Sequence, residues 1–147
     1  MKTGLIILVA EDNLINQRLI SAILAHGGHR VVVVDDGEQA VKAVREQYFD
    51  IVLMDIHMPN MDGLIATRKI REMSGTVANL PIVAVTGNAT IADRNAYTMH
   101  GLTGFVSKPI DSQILITEIE AAMAAGLPSR TGVVLSDQSV LDIVSGN

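Results

Sequence analysis

A chain of 147 residues is long enough for one domain with a real core, and 48% hydrophobic against 18% charged residues marks it as globular, not disordered. A net charge of −5 without a Lys/Arg run speaks against direct nucleic-acid binding, and the lack of cysteine excludes disulfides, a thiol nucleophile and Cys-based metal sites. The opening apolar stretch is too short for a signal sequence and no run approaches the ~20 apolar residues of a membrane helix, so a soluble, cytoplasmic chain without membrane contact is expected.

Short apolar runs alternate with longer amphipathic ones. A first strand is predicted over Leu5–Ala10, followed by a helix from Leu14 to about His26. Asn13 is its N-cap and Gly27-Gly28 its stop. Strand Arg30–Val34 comes next, then a helix from about Gly37 to Gln47 after Asp35-Asp36. The third pair is strand Asp50–Met54 and a helix from Gly63 to about Met73, capped by Asp62. The fourth is strand Pro81–Val85 and a helix from roughly Ala89 to His100, closed by Gly101. The fifth is strand Thr103–Val106 and a helix from Asp111 to Ala125, closed by Gly126. The strands are rich in Val, Ile and Leu with little polar alternation, the pattern of strands covered on both faces of a parallel sheet.

Five strands alternating with five helices predict an α/β sandwich with right-handed crossovers. The expected fold is a flavodoxin-like (βα)5 sandwich with strand order 2-1-3-4-5, whose ligands sit outside the carboxyl ends of the strands. Those ends carry Glu11-Asp12, Asp55, Thr86-Gly87-Asn88 and Ser107-Lys108-Pro109.

With strands 1 and 3 as neighbours, three carboxylates converge while Thr86 and Lys108 approach from the other side. Carboxylates so packed repel unless a cation sits among them. Mg²⁺ suits this set, because it takes one or two carboxylates, keeps waters and leaves positions for phosphate oxygens. A hydroxyl and an ammonium aimed at the same point can hold a phosphoryl group. A carboxylate in line with that group can attack it to form an acyl phosphate. A lone strand-end Asp is more often a helix cap or turn residue. Asp55 departs from that because Glu11, Asp12, Thr86 and Lys108 recur at the other strand ends.

The ordered motifs AEDN with Asp12, MDIHMPNMDG with Asp55, VTGNA with Thr86 and SKP with Lys108 resemble the receiver domain of two-component response regulators. The resemblance runs from residue 4 to about 125. Glu11-Asp12-Asn13 with Asn16-Gln17 looks most like receivers attached to hybrid sensor histidine kinases.

The resemblance implies that Asp55 is the phosphoacceptor, taking its phosphoryl group from a phosphohistidine. It implies that Asp12, Asp55 and the backbone carbonyl of His57 ligate Mg²⁺, with Glu11 acting through a water. Lys108 would pair with the phosphoryl group, and Thr86 would hydrogen-bond it and move on phosphorylation. Phe105 holds the position of the switch aromatic and, lacking a hydroxyl, would work by packing. The side chains of His57 and Asn88 would tune the lifetime of the acyl phosphate. The Lys108-Pro109 bond is expected to be cis. The partners implied are a sensor histidine kinase or a histidine phosphotransfer domain, with the chain a signalling phosphoacceptor and not a turnover enzyme.

Two other functions are weighed against this. A Mg²⁺-dependent phosphatase with an Asp nucleophile, resembling the haloacid dehalogenase group, wants a second Asp two residues on, where this chain has His57. A flavodoxin-like electron carrier wants a Ser/Thr/Gly-rich phosphate loop where Glu11-Asp12 stands, and aromatics are only 3% of the chain.

On the first helix Ile20, Ile23 and Leu24 are predicted to face the core. Ile15, Leu19 and Ala22 lie on an adjoining face, either a wide core stripe or a docking face for a phosphohistidine-bearing helix. His26 and His29, flanking Gly27-Gly28, are expected in a surface turn. Met54, Met58 and Met61 are expected to pack under the loop after Asp55, and Gly63 to tolerate a tight backbone. The receiver is bounded at 1–126. Residues 127–147 read as a linker or tail, with Asp137 capping a short helix over 138–144, or as the start of a further domain. SDQSVLDIV weakly resembles the start of a histidine phosphotransfer domain.

Overall fold

The computed structural model describes residues 3–87, 90–125, 141–142 and 144–145. Its five parallel strands, β1 (Ile6–Ala10), β2 (Arg30–Val34), β3 (Ile51–Asp55), β4 (Ile82–Thr86) and β5 (Gly104–Ser107), lie in the order β2-β1-β3-β4-β5. The helices are α1 (Leu14–His26), α2 (Gly37–Glu46), α3 (Gly63–Arg71), α4 (Ile91–Met99) and α5 (Ser112–Ala125). The expected α/β sandwich and strand order are both present.

Side chains alternate across each strand, so the sheet feeds two cores. Leu8, Ala10, Val52, Met54, Ile82 and Ala84 pack on one face with Val41 and Val44 of α2, Ala66 and Ile70 of α3 and Tyr97 of α4. Ile7, Val9, Ile51, Leu53, Val83 and Val85 pack on the other with Ile20 and Leu24 of α1 and Leu115 and Ile119 of α5. The central strands β3 and β4 are buried along their whole length. β2 lies at the sheet edge and is only partly covered, which departs from the expectation of strands covered on both faces.

Local chemistry sets where the helices start. Asn13, Asp36 and Asp62 each accept a hydrogen bond from the third residue on, at Asn16, Gln39 and Ile65. α4 starts at Ile91, not Ala89. Thr90 and Asp93 form a capping box there, a Thr-x-x-Asp signal that fixes the boundary. A 3-10 turn over Thr76–Asn79 has no counterpart among the predicted elements; four residues are too few for a hydrophobic period.

Three sequence expectations meet corrections or limits. His29 is buried, not in a surface turn: it accepts the Leu5 N–H at Nδ1, 3.2 Å away, beneath the end of α1. In the tail, Leu141–Asp142 and Val144–Ser145 form a pair of short strands where a helix over 138–144 was expected. Asp137, Gly126 and the 126/127 boundary lie outside the described residues. Among those residues no helix is long and apolar enough to cross a membrane.

Candidate functional site

The register of the sheet assembles the site. Ala10 pairs with Met54, so Glu11 and Asp55 emerge side by side from adjacent strands. Thr86 pairs with Ser107, and the Lys108 N–H donates to the Thr86 carbonyl at 2.8 Å, so the lysine leaves β5 beside Thr86. The Lys108-Pro109 peptide is cis, as expected.

Glu11 and Asp55 are 1% and 2% exposed, a burial that charged groups tolerate only when paired. Lys108 Nζ answers both, 3.2 Å from Asp55 Oδ2 and 3.3 Å from Glu11 Oε1. The His57 N–H donates to Asp55 Oδ1 at 3.1 Å, so each Asp55 oxygen has a partner. Burial raises the Glu11 pKa above its ordinary value and Asp55 adds to this, against the Asn13 N–H and Lys108. Burial opposes the Lys108 charge, but Asp55 and Glu11 outweigh it and hold its pKa above the ordinary value.

Carboxylate oxygens of Glu11, Asp12 and Asp55 lie within 4.8 Å of one another. Glu11 Oε1 is buried and, although near the lysine, has no aligned hydrogen bond. An all-oxygen, trianionic donor set with an unsatisfied buried oxygen fits a hard cation such as Mg²⁺.

The structure thus brings Glu11, Asp12, Asp55 and Lys108 together, with Thr86 buried at the adjoining strand end. The His57 side chain is exposed. Asn88 lies outside the described residues. Phe105 is half-buried and sits against α4, its ring 5.8 Å from that of Tyr97 and 5.8 Å from the Arg94 guanidinium carbon.

Beneath the loop after Asp55, Met54 and Met58 are buried and Met61 packs against them, as expected. Gly63 lies so close to the Asp55 carbonyl that a side chain there would overlap it. Two contacts escaped sequence reasoning. Asn60, at φ 67°, donates to Glu38 Oε1 at 2.6 Å and ties this loop to α2. Gln17 bridges the Glu11 carbonyl and Asp35. The left-handed Asn in PNMDG was a usable signal for the first.

On α1, Ile20 and Leu24 are buried and Ile23 is half-buried. Ile15 is 76% exposed and Leu19 41%, with Ala22 exposed beside them. The wide-core reading of this face is therefore set aside.

Residues 7–120 match the family described as the response regulator receiver domain. The chain is 38% identical over 115 residues to hybrid signal transduction histidine kinase I of Dictyostelium discoideum, covering 74% of this chain and 7% of that protein. It is 39% identical over 111 residues to sensor protein GacS of Pseudomonas syringae pv. syringae, covering 74% of this chain and 12% of that protein. The chain thus spans a small part of these relatives' length. A crystal structure of the receiver domain of sensor histidine kinase PA1611 from Pseudomonas aeruginosa PAO1 superposes with a TM-score of 0.76 at 36% identity. It covers 84% of this chain and 100% of that one, and carries a magnesium ion coordinated in its active-site cleft.

Proposed function

The chain belongs to the response regulator receiver domain family of two-component systems, and on that premise we propose that Asp55 accepts a phosphoryl group from a phosphohistidine with Mg²⁺ as cofactor. The observation that carries this is the Glu11–Asp12–Asp55 cluster, in which Glu11 and Asp55 are buried and paired with Lys108 while Asp12 is exposed. Glu11, Asp12, Asp55 and the His57 carbonyl would hold the ion. When bound, Mg²⁺ supplies positive charge against the phosphoryl oxygens.

Asp55 attacks phosphorus with one carboxylate oxygen. The new O–P bond forms as the P–N bond to the partner's imidazole breaks, and the imidazole keeps the electron pair. Lys108 turns from Asp55 Oδ2 to the transferred group and offsets its charge. The Thr86 hydroxyl donates to a phosphoryl oxygen. Moving Thr86 opens space beside β4, and Phe105 repacks against Tyr97 and Arg94, which shifts the population of α4 positions. Water later hydrolyses the acyl phosphate, at a rate tuned by His57 and Asn88.

The donor is a sensor histidine kinase or a histidine phosphotransfer domain. Its helix docks on the exposed Ile15, Leu19 and Ala22 face of α1. Residues 1–126 form the receiver and 127–147 a linker or tail, with the whole acting in the cytoplasm, on its own or as part of a hybrid kinase. The chain is a signalling phosphoacceptor, autocatalytic at most.

Incubation with acetyl phosphate and Mg²⁺ should give a mass gain of one phosphoryl group per chain, lost when EDTA is present. Many turnovers of an added phosphomonoester without a stoichiometric adduct would favour the Asp-nucleophile phosphatase instead.

A further inference from the structure

Glu11 stands where two strands part. The β1–β2 ladder ends with the Glu11 N–H donating to the Val34 carbonyl at 3.1 Å. Evenly spaced parallel rungs would next have the N–H of residue 36 donate to the Glu11 carbonyl. Asp36 instead turns away as the N-cap of α2. Gln17, reaching from the first turns of α1, fills the vacant rung. Its Nε2 donates to the Glu11 carbonyl and, at 2.8 Å, to Asp35 Oδ1. Asp35 is itself fixed, its N–H donating to Gln39 Oε1 at 3.1 Å.

We propose that Gln17 is a positioning residue for the cation site: its carboxamide clamps the backbone at Glu11 and so sets where the Glu11 and Asp12 carboxylates stand. The inference rests on the receiver reading of the site. A carboxamide suits the task because one nitrogen offers two hydrogens, and its two acceptors here come from different loops. Without the clamp, Glu11 keeps its own N–H rung and its Oε2 contact to the Asn13 N–H, 3.0 Å away. Its carbonyl, however, is free to rotate, and Asp12 follows it. Mg²⁺ demands near-octahedral ligands at about 2.0–2.1 Å, so small displacements of a carboxylate weaken binding.

The test is Gln17→Met, of similar length but without donors, titrated with Mg²⁺ by isothermal calorimetry. The Mg²⁺ Kd should rise about tenfold, the usual effect of losing a group that orients a ligand. Phosphorylation by acetyl phosphate should need correspondingly more Mg²⁺ yet reach the unaltered rate at saturation. Gln17→Asn, too short to span both acceptors, should give the same shift and serves if the Met variant does not fold. Unchanged Mg²⁺ affinity in a folded variant, or a lower saturated rate with unchanged affinity, would overturn the clamp. Absence of Mg²⁺ binding by the unaltered protein would instead overturn the cation reading itself.

Discussion

Replacing Gly63 with Ala pits helix propensity against packing at the site. Gly63 opens α3 directly against the strand that carries Asp55. A Cβ there would overlap the Asp55 carbonyl oxygen and lie 3.0 Å from its carbon and 2.9 Å from Met54 Cγ. Its N–H also donates to the Ile56 carbonyl at 2.9 Å. Alanine would gain up to about 1 kcal/mol of helix propensity. Forcing a methyl into a filled space costs about 1–3 kcal/mol, toward the upper end when the wall is backbone that has no rotamer to change. Loss of the Ile56 hydrogen bond adds about 1 kcal/mol.

Packing wins, and the variant should be destabilised by about 2 kcal/mol, which at a typical urea slope lowers the midpoint by about 1 M. Urea titration followed by far-UV circular dichroism measures it. Gly87→Ala is the control, because a Cβ there meets nothing within 4 Å, and its midpoint should stay put. A Gly63→Ala midpoint equal to or above that of the unaltered protein would refute the reasoning.

Arg71 donates to the carbonyls of Gly101, Ala78 and Leu80 from a largely buried position, where burial lowers its pKa to about 10. Arg71→Leu should cost about 2–4 kcal/mol in urea titration, since those carbonyls lose their charged donor. Arg71→Lys should rescue little, a compact ammonium being unable to span them. His29 has its pKa lowered by burial below the ordinary 6.5, against a weaker opposing pull from Asp50. The unfolded chain therefore binds the proton first. This part of the stability is complete above about pH 6.5 and falls as pH drops through that value toward the lowered one. His29→Asn, whose Oδ1 can accept the Leu5 N–H, should flatten the stability difference between pH 7 and pH 5 in urea midpoints. Ile15→Asp should slow phosphotransfer from a kinase while leaving acceptance from acetyl phosphate intact. Equal loss in both assays would remove the docking role from α1.

Much of the site was legible because its chemistry sits at strand ends, and strand order follows from the βα alternation. Asp55 alone carried little information; Glu11, Asp12 and Lys108 gave it meaning once β1, β3 and β5 were ordered. What escaped were contacts set by tertiary placement. His29 reads as a turn residue beside Gly27-Gly28, yet the end of α1 covers it and Leu5 offers it an N–H. Gln17 enters the sequence reading only as part of the pattern that resembles hybrid-kinase receivers, and its bond to the Glu11 carbonyl depends on where β2 leaves β1. The wide apolar stripe of α1 left open whether Ile15 was core or surface, since periodicity gives the face but not its cover. The capping box at Thr90 and Asp93 was written in the sequence and sharpens the start of α4.

The central claim is that Asp55 receives the phosphoryl group. Intact-mass spectrometry after acetyl phosphate and Mg²⁺ treatment, run on the unaltered chain and on Asp55→Asn, tests it most directly. The account predicts one phosphoryl adduct on the unaltered chain, mapped by peptide fragmentation to Asp55, and none on Asp55→Asn. An adduct of equal yield on the variant, or one mapped to Asp12 or Glu11, would contradict it.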